Sequence, residues 1–348
     1  MRSWTVLGGI VLLVATAITA LESCYDADYL PRTNTTPLAF EVPPGFPAPA
    51  YNFQRNPLTV EGVELGRYLF HEGRLSKDGN FPCSSCHQQI ASFTTFDHDR
   101  SHGYNHSHTL RNAPALINLA WLQAYRQDGS AATLEEVSLA HITAPDEMAE
   151  TMAGVIGKLQ PDTIYQRLFK AAYGDERITD HRILNAITQF LLTIVSADSK
   201  YDRVKKGTVT FTPQEENGYQ VFQAKCATCH TEPLFTDFSY RNIGLPIDNF
   251  LSDFGRMRVT NNRADSLKFR VPTLRNVELT SYYTHDGRSG TMRHMVEHYR
   301  SRVQQGPTLD PSLTNGIALT NTELDNVLAF LRTLSDSSIL HNPKFGPP

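Results

Sequence analysis

Two five-residue stretches decide the reading of this chain: Cys83-Ser84-Ser85-Cys86-His87 and Cys226-Ala227-Thr228-Cys229-His230. Both are C-x-x-C-H. Two thiols three residues apart on a helical turn can form thioethers to the two vinyl groups of a haem, and the adjoining imidazole then reaches the iron as proximal ligand. A single copy would also suit a redox dithiol or half of a zinc site. Zinc would need both pairs brought together from distant parts of the chain and would give neither histidine a required place. Two copies therefore predict two covalent haem c groups, one on Cys83, Cys86 and His87, the other on Cys226, Cys229 and His230.

The flanks of the two motifs repeat one plan. Before the first, Thr59 is an N-cap for a helix whose apolar face is Val60, Val63, Leu65, Leu69 and Phe70. Before the second, Thr212-Pro213-Gln214-Glu215 is a capping box with Pro at the first helical position, leading into Gly218-Tyr219-Gln220-Val221-Phe222. After them come two amphipathic segments, Ile178 to Ser196 and Leu319 to Ser335, and in the second Leu324, Val327, Leu328 and Leu331 fall at helical spacing. The expectation is a mainly α protein of two tandem cytochrome c-like domains, residues 59–205 and 206–337, with residues 338–348 as a C-terminal tail. Residues 24–58, rich in Pro, Thr and Asn and without a helical period, read as a tether or a strap over the domain.

The 348 residues suit about two domains at roughly 150 residues each. With 40% hydrophobic and 20% charged residues, a collagen, a coiled coil, a multi-span membrane protein and a wholly disordered chain are excluded. The formal net charge is −4 and no basic run occurs, so nucleic acid is not an expected partner. The fifth cysteine, Cys24, follows an apolar stretch from Trp4 to Leu21 that Arg2 precedes. That order is a secretory signal over residues 1–23; at 18 residues it is also at the short edge of a retained membrane anchor. Leu21-Glu22-Ser23-Cys24 resembles a bacterial lipoprotein processing site, although a lone cysteine there could equally be a bystander. Export, to the periplasm or to a membrane through a lipidated Cys24, is expected. An exported chain with so few cysteines is not built on a disulfide framework.

Two haems do not by themselves make an enzyme. An electron carrier keeps each iron six-coordinate, whereas a peroxidase needs an openable distal position and an acid–base group beside it. Glu147, in Ala144-Pro145-Asp146-Glu147-Met148, is a candidate for that group, and a carboxylate there also suits a solvated helix start.

The ordered set Leu65 to Ser76 (LGRYLFHEGRLS), CSSCH, Arg111 to Trp121 (RNAPALINLAW), Thr133 to Met148 (TLEEVSLAHITAPDEM), CATCH, Phe269 to Arg288 (FRVPTLRNVELTSYYTHDGR) and Val296 to Tyr299 (VEHY) resembles the bacterial dihaem cytochrome c peroxidase family, including its MauG-like branch. The resemblance spans residues 59 to 337. It implies that the first haem, on His87, reacts with peroxide and that the second, on His230, receives electrons from a small donor such as a c-type cytochrome or cupredoxin. It implies that Glu147 is the distal acid–base group. The second iron's distal ligand would be Tyr299, with Met292, Met295 and His298 as neighbouring rivals; a tyrosinate lowers the reduction potential relative to Met. One Ca²⁺ between the haems would be bound by the Asn112 side chain and the Thr280 and Tyr282 carbonyls, carbonyl oxygen being a suitable ligand whatever the side chain. Members of the family are often homodimers.

This chain also departs from the family pattern. Gln127 stands where an inter-haem Trp is usual, Val137 where a distal Gln is frequent, and His141 where a distal Pro is frequent. His141 could be a base, an iron ligand or an outward-facing residue. His102, His106 and His108 lie in the loop that supplies a resting iron ligand in some members, and a solvated loop or adventitious metal binding are the other readings of them. The expected function is reduction of hydrogen peroxide to water. The alternatives are a MauG-like enzyme oxidising residues of a partner protein, and a non-enzymatic dihaem electron-transfer cytochrome.

Overall fold

The computed structural model describes residues 34–348, so the apolar stretch Trp4 to Leu21 and Cys24 lie outside the described residues. The architecture is mainly helical. The principal helices are α1 (Val60–Phe70), α2 (Leu134–Thr143), α3 (Met152–Leu159), α4 (Thr163–Tyr173), α5 (Asp180–Leu192), α6 (Lys200–Lys205), α7 (Pro213–Lys225), α8 (Met292–Ser301) and α9 (Asn321–Arg332). Two short strands, β1 (Tyr240–Arg241) and β2 (Phe269–Arg270), pair antiparallel with Tyr240 opposite Arg270. No helix among the described residues is long and apolar enough to cross a membrane.

Local chemistry sets the helix starts. The Thr59 hydroxyl accepts from the Gly62 N–H at 3.0 Å, and reciprocal capping boxes open α2, α6, α7 and α9 from Thr133, Ser199, Thr212 and Thr320. Each box satisfies N–H groups that the first helical turn leaves without partners.

The repeated plan is visible in the packing. α1 lies across α5, and α7 across α9, each contact closing over a glycine. A Cβ on Gly66 would collide with the Ala186 carbonyl and come within 2.8 Å of Phe190 Cβ; one on Gly218 would collide with the Asn326 carbonyl and come within 3.0 Å of Phe330 Cβ. The obstacles are backbone, which cannot swing away. Gly66→Ala and Gly218→Ala should each destabilise by about 1–3 kcal/mol or more through forced separation of the helix pair. Thermal unfolding of the two variants beside the parent checks this, and unchanged midpoints would refute it.

Two hydrophobic cores result. The first gathers Leu65, Leu69, Phe70, Phe93, Phe169 and Phe190 among others; the second gathers Tyr201, Phe222, Phe235, Leu324, Leu328 and Phe330. Tyr201 of α6 belongs to the second core, so in packing the chain passes between units before Lys205. Ile339 and Phe345 return to the first core. There the Phe345 ring meets Phe93 edge-on at 6.0 Å, its carbonyl bonds His71 at 3.0 Å, and Gln89 donates to the Ile339 and Asn342 carbonyls. The C-terminal segment thus ties the end of the second unit to the first.

The described part of the Pro-rich segment is a strap. Phe40 stacks on Phe53 at 4.6 Å, Phe46 meets Trp121 at 5.1 Å, and the Trp121 indole donates to the Pro47 carbonyl at 2.8 Å. Such aromatic contacts anchor the strap beyond its antiparallel bridge, where Pro37 lies opposite Thr59 and Leu38 N–H donates to the Leu58 carbonyl at 2.9 Å.

Candidate haem-binding and active site

Both C-x-x-C-H motifs line one continuous cavity of about 930 Å³ between the two units. Cys83–Cys86 forms a single helical turn, and Cys226 caps α7. Burial, and then the neighbouring cysteine of each motif, pushes the Cys83 and Cys226 thiols up to about 12 before any thioether forms. His87 Nδ1 bonds the Phe93 carbonyl at 2.9 Å and His230 Nδ1 bonds the Phe235 carbonyl at 3.1 Å. Each bond fixes the ring and leaves Nε2 for a metal, the usual outer-shell support of an imidazole ligand. Burial holds His87 down at about 4 and lowers His230 too, which keeps both rings in the neutral form that ligates. The residues present therefore fit two attached haems.

On the first side, Glu147, His141 and Val137 all line the cavity. The α2 helix ends at Thr143, Ala144 turns extended, and the chain folds back: Met148 N–H donates to the His141 carbonyl at 3.4 Å and Glu150 N–H to Ile142 at 2.9 Å. That reversal places the Glu147 carboxylate against His141 Nδ1 in a direct hydrogen bond. Of the three roles open to His141 from sequence, the structure turns it to the carboxylate. Glu147 is close enough to act electrostatically on Cys83, Cys86 and His87.

The histidine-rich loop packs over the same turn. Tyr104 N–H donates to the Glu147 carbonyl at 2.6 Å, and any side chain at Gly103 would strike the Asp146 carbonyl. His102 lines the cavity, whereas His106 and His108 do not. The His102 ring lies 4.3 Å, centroid to centroid, from both His98 and His108. Among the described residues no group of three or more His, Cys, Asp or Glu is arranged to hold a metal ion.

On the second side, Tyr299 of α8 lines the cavity together with Met292 and Met295. Burial is the main cause that pushes its phenol up. His298 is turned away, its Nε2 on the Ile243 carbonyl at 2.8 Å. Asn112, Thr280 and Tyr282 also line the cavity. Asn112 Nδ2 donates to the Asp99 carbonyl at 2.8 Å, which leaves Oδ1 as an acceptor, and the Thr280 carbonyl accepts from the Tyr283 hydroxyl at 3.0 Å.

Gln127 sits at the junction of the units. Its amide donates to the Asn112 carbonyl at 2.8 Å and its own carbonyl accepts from Arg270 N–H at 2.7 Å. Beside it is a cluster that sequence reasoning missed. Arg111 bonds Asp253 through two nitrogens at 2.6 and 2.9 Å and reaches Asp128 at 2.6 Å, while Phe269 stacks on His285 at 3.9 Å under the Arg111 guanidinium. Arg111 opens a motif already singled out, but Asp253 lies far along the chain and no local spacing points to it.

Residues 60–210 match the family described as di-haem cytochrome c peroxidase and residues 215–335 match cytochrome c. The methylamine utilization protein MauG of Methylophilus methylotrophus is 31% identical over 340 residues, covering 95% of this chain and 96% of that protein. The cytochrome c551 peroxidase of Nitrosomonas europaea is 35% identical over 285 residues, 80% of this chain and 81% of that one. A solved MauG-like protein associated with microbial copper homeostasis superposes with a TM-score of 0.80 at 29% identity, covering 89% of this chain and 99% of the other.

Proposed function

This chain belongs to the di-haem cytochrome c peroxidase family and carries two haem c groups, and from that premise we propose that it reduces hydrogen peroxide to water with two electrons from a small donor protein such as a c-type cytochrome. The observation that supports this most is the Glu147 carboxylate in the cavity wall beside the first C-x-x-C-H motif. Haem iron supplies the binding position for peroxide and the electron transfer that breaks the O–O bond. The residues supply the rest. His87 and His230 would hold the two irons through Nε2, their Nδ1 atoms being engaged by backbone. Glu147 would take a proton from the near oxygen of peroxide and return it to the far one, so that the departing oxygen leaves as water. The buried Tyr299 phenol is our candidate for the second iron's distal ligand. Asn112, Thr280 and Tyr282 form the proposed Ca²⁺ site, and export with or without lipidation of Cys24 is the proposed location.

Tyr299 favours a second reading, oxidation of residues on a partner protein as in the MauG-like branch. Gln127 speaks against it, since an amide cannot carry an electron hole as an indole does.

Peroxide-dependent oxidation of a reduced c-type cytochrome by the purified dihaem protein, with and without prior one-electron reduction, tests the proposal. Rapid turnover is expected. A spectral response to peroxide without donor oxidation would transfer support to the partner-modifying reading, and no response at all would leave an electron carrier.

A further inference from the structure

The peroxide reaction consumes two protons for every two electrons, and the cavity must draw those protons from solvent. Glu147 gives back the proton it takes when the O–O bond breaks, so the two protons consumed in completing the second water have to reach it from solvent. Its main chain is clamped on both sides: the Tyr104 N–H donates to its carbonyl at 2.6 Å, and the Ser107 hydroxyl donates to the Asp146 carbonyl at 2.9 Å. Its side chain is directed by one further group, the Nδ1 of His141. His141 is the more exposed of the two, its side chain 36% accessible against 21% for Glu147. Both side chains also line the cavity, so the pair lies in its wall with the imidazole as the more accessible member.

We propose that His141 is a positioning residue that also relays protons from solvent to Glu147, an inference that rests on the peroxide-reducing reading and deepens it. In the step, the His141 Nδ1–H bond breaks as a bond forms to Glu147 Oε2 while Nε2 accepts a proton from solvent; once Glu147 has passed its proton on, release of the Nε2 proton to water and uptake of one at Nδ1 restore the starting tautomer, so that one proton moves from solvent to Glu147 in each cycle. No electron moves. An imidazole is suited to this because its two nitrogens can exchange donor and acceptor roles near neutral pH. The ionisable groups around the pair are His87 of the first motif, Asp146 in the same turn, His102 in the loop, and Lys77, which covers the Tyr104 ring.

The test uses the full dihaem protein and its His141→Ala and His141→Asn variants, mixed rapidly with peroxide and, separately, with cyanide. Hydrogen cyanide must give up its proton before binding ferric haem, so cyanide reads proton removal without turnover. His141→Ala should slow both reactions by about tenfold or more, within the range of general acid–base effects. 2-Methylimidazole, whose methyl group hinders iron coordination, should restore much of the loss. Asn keeps a donor to Glu147 but has no second nitrogen to exchange, and should stay slow. Unchanged rates in His141→Ala, or full recovery in His141→Asn, would overturn the relay. So would a low-spin to high-spin change of the ferric spectrum in His141→Ala, which would make His141 an iron ligand. A parent protein inert to peroxide would defeat the peroxidase reading alone, because the cyanide arm would still report the relay.

Discussion

Glu147→Gln is expected to slow peroxide reduction by about 10²–10⁴-fold while both haems remain attached. Gln has nearly the shape of Glu, and its amide oxygen can still accept from His141 Nδ1, so the turn after α2 keeps its conformation. What is lost is the capacity to take a proton from one peroxide oxygen and deliver it to the other. Steady-state rates with a reduced cytochrome c donor, together with intact mass to count haems, measure the effect. Two haems with an undiminished rate would remove Glu147 from the mechanism.

The second large effect concerns stability. Arg275 is fully enclosed and bonds both oxygens of Asp202, at 2.9 and 2.8 Å, while its Nε donates to the Pro233 carbonyl at 2.8 Å. Its guanidinium lies 4.7 Å from the Phe46 ring of the strap, so one side chain joins α6, the second motif's loop and the amino-terminal segment. Arg275→Met would leave the Asp202 carboxylate buried without its partner, which costs about 3–5 kcal/mol. Arg275→Lys would keep the charge but lose the planar fork, and should fall between the two. Denaturant unfolding at neutral pH gives the ranking, and a Met variant as stable as the parent would contradict it.

The pair also sets a pH dependence. Burial pushes the Asp202 carboxyl up, but hydrogen bonds and charge from Arg275 outweigh burial and hold it below its usual range. A depressed carboxylate stabilises the fold fully above its unfolded value of about 3.9, and that contribution is lost as pH falls through the lower folded value. The gap between the parent and Arg275→Met should therefore be widest near neutrality and narrow below about pH 4.

Much of this molecule was legible in its sequence because the decisive features are local. The C-x-x-C-H spacing, the threonine caps before α1 and α7 and the periodic apolar faces of α5 and α9 each depend on residues within a turn or two of one another. Thus the sequence by itself determined the helical class, the tandem plan, two haem c groups and Glu147 as the acid–base candidate. Tertiary structure alone decided the rest, since those features require chain segments remote in sequence to meet. Arg111 finds Asp253 only when the units dock, and Arg275 finds Asp202 only when the second unit folds back on α6. Phe345 reads as part of a C-terminal tail until the first core offers it Phe93 and Phe190. His141 shows the boundary most plainly: residue type left it three roles, and only the reversal of the chain after α2, pinned by backbone bonds and by the overlying loop, turned its ring to Glu147.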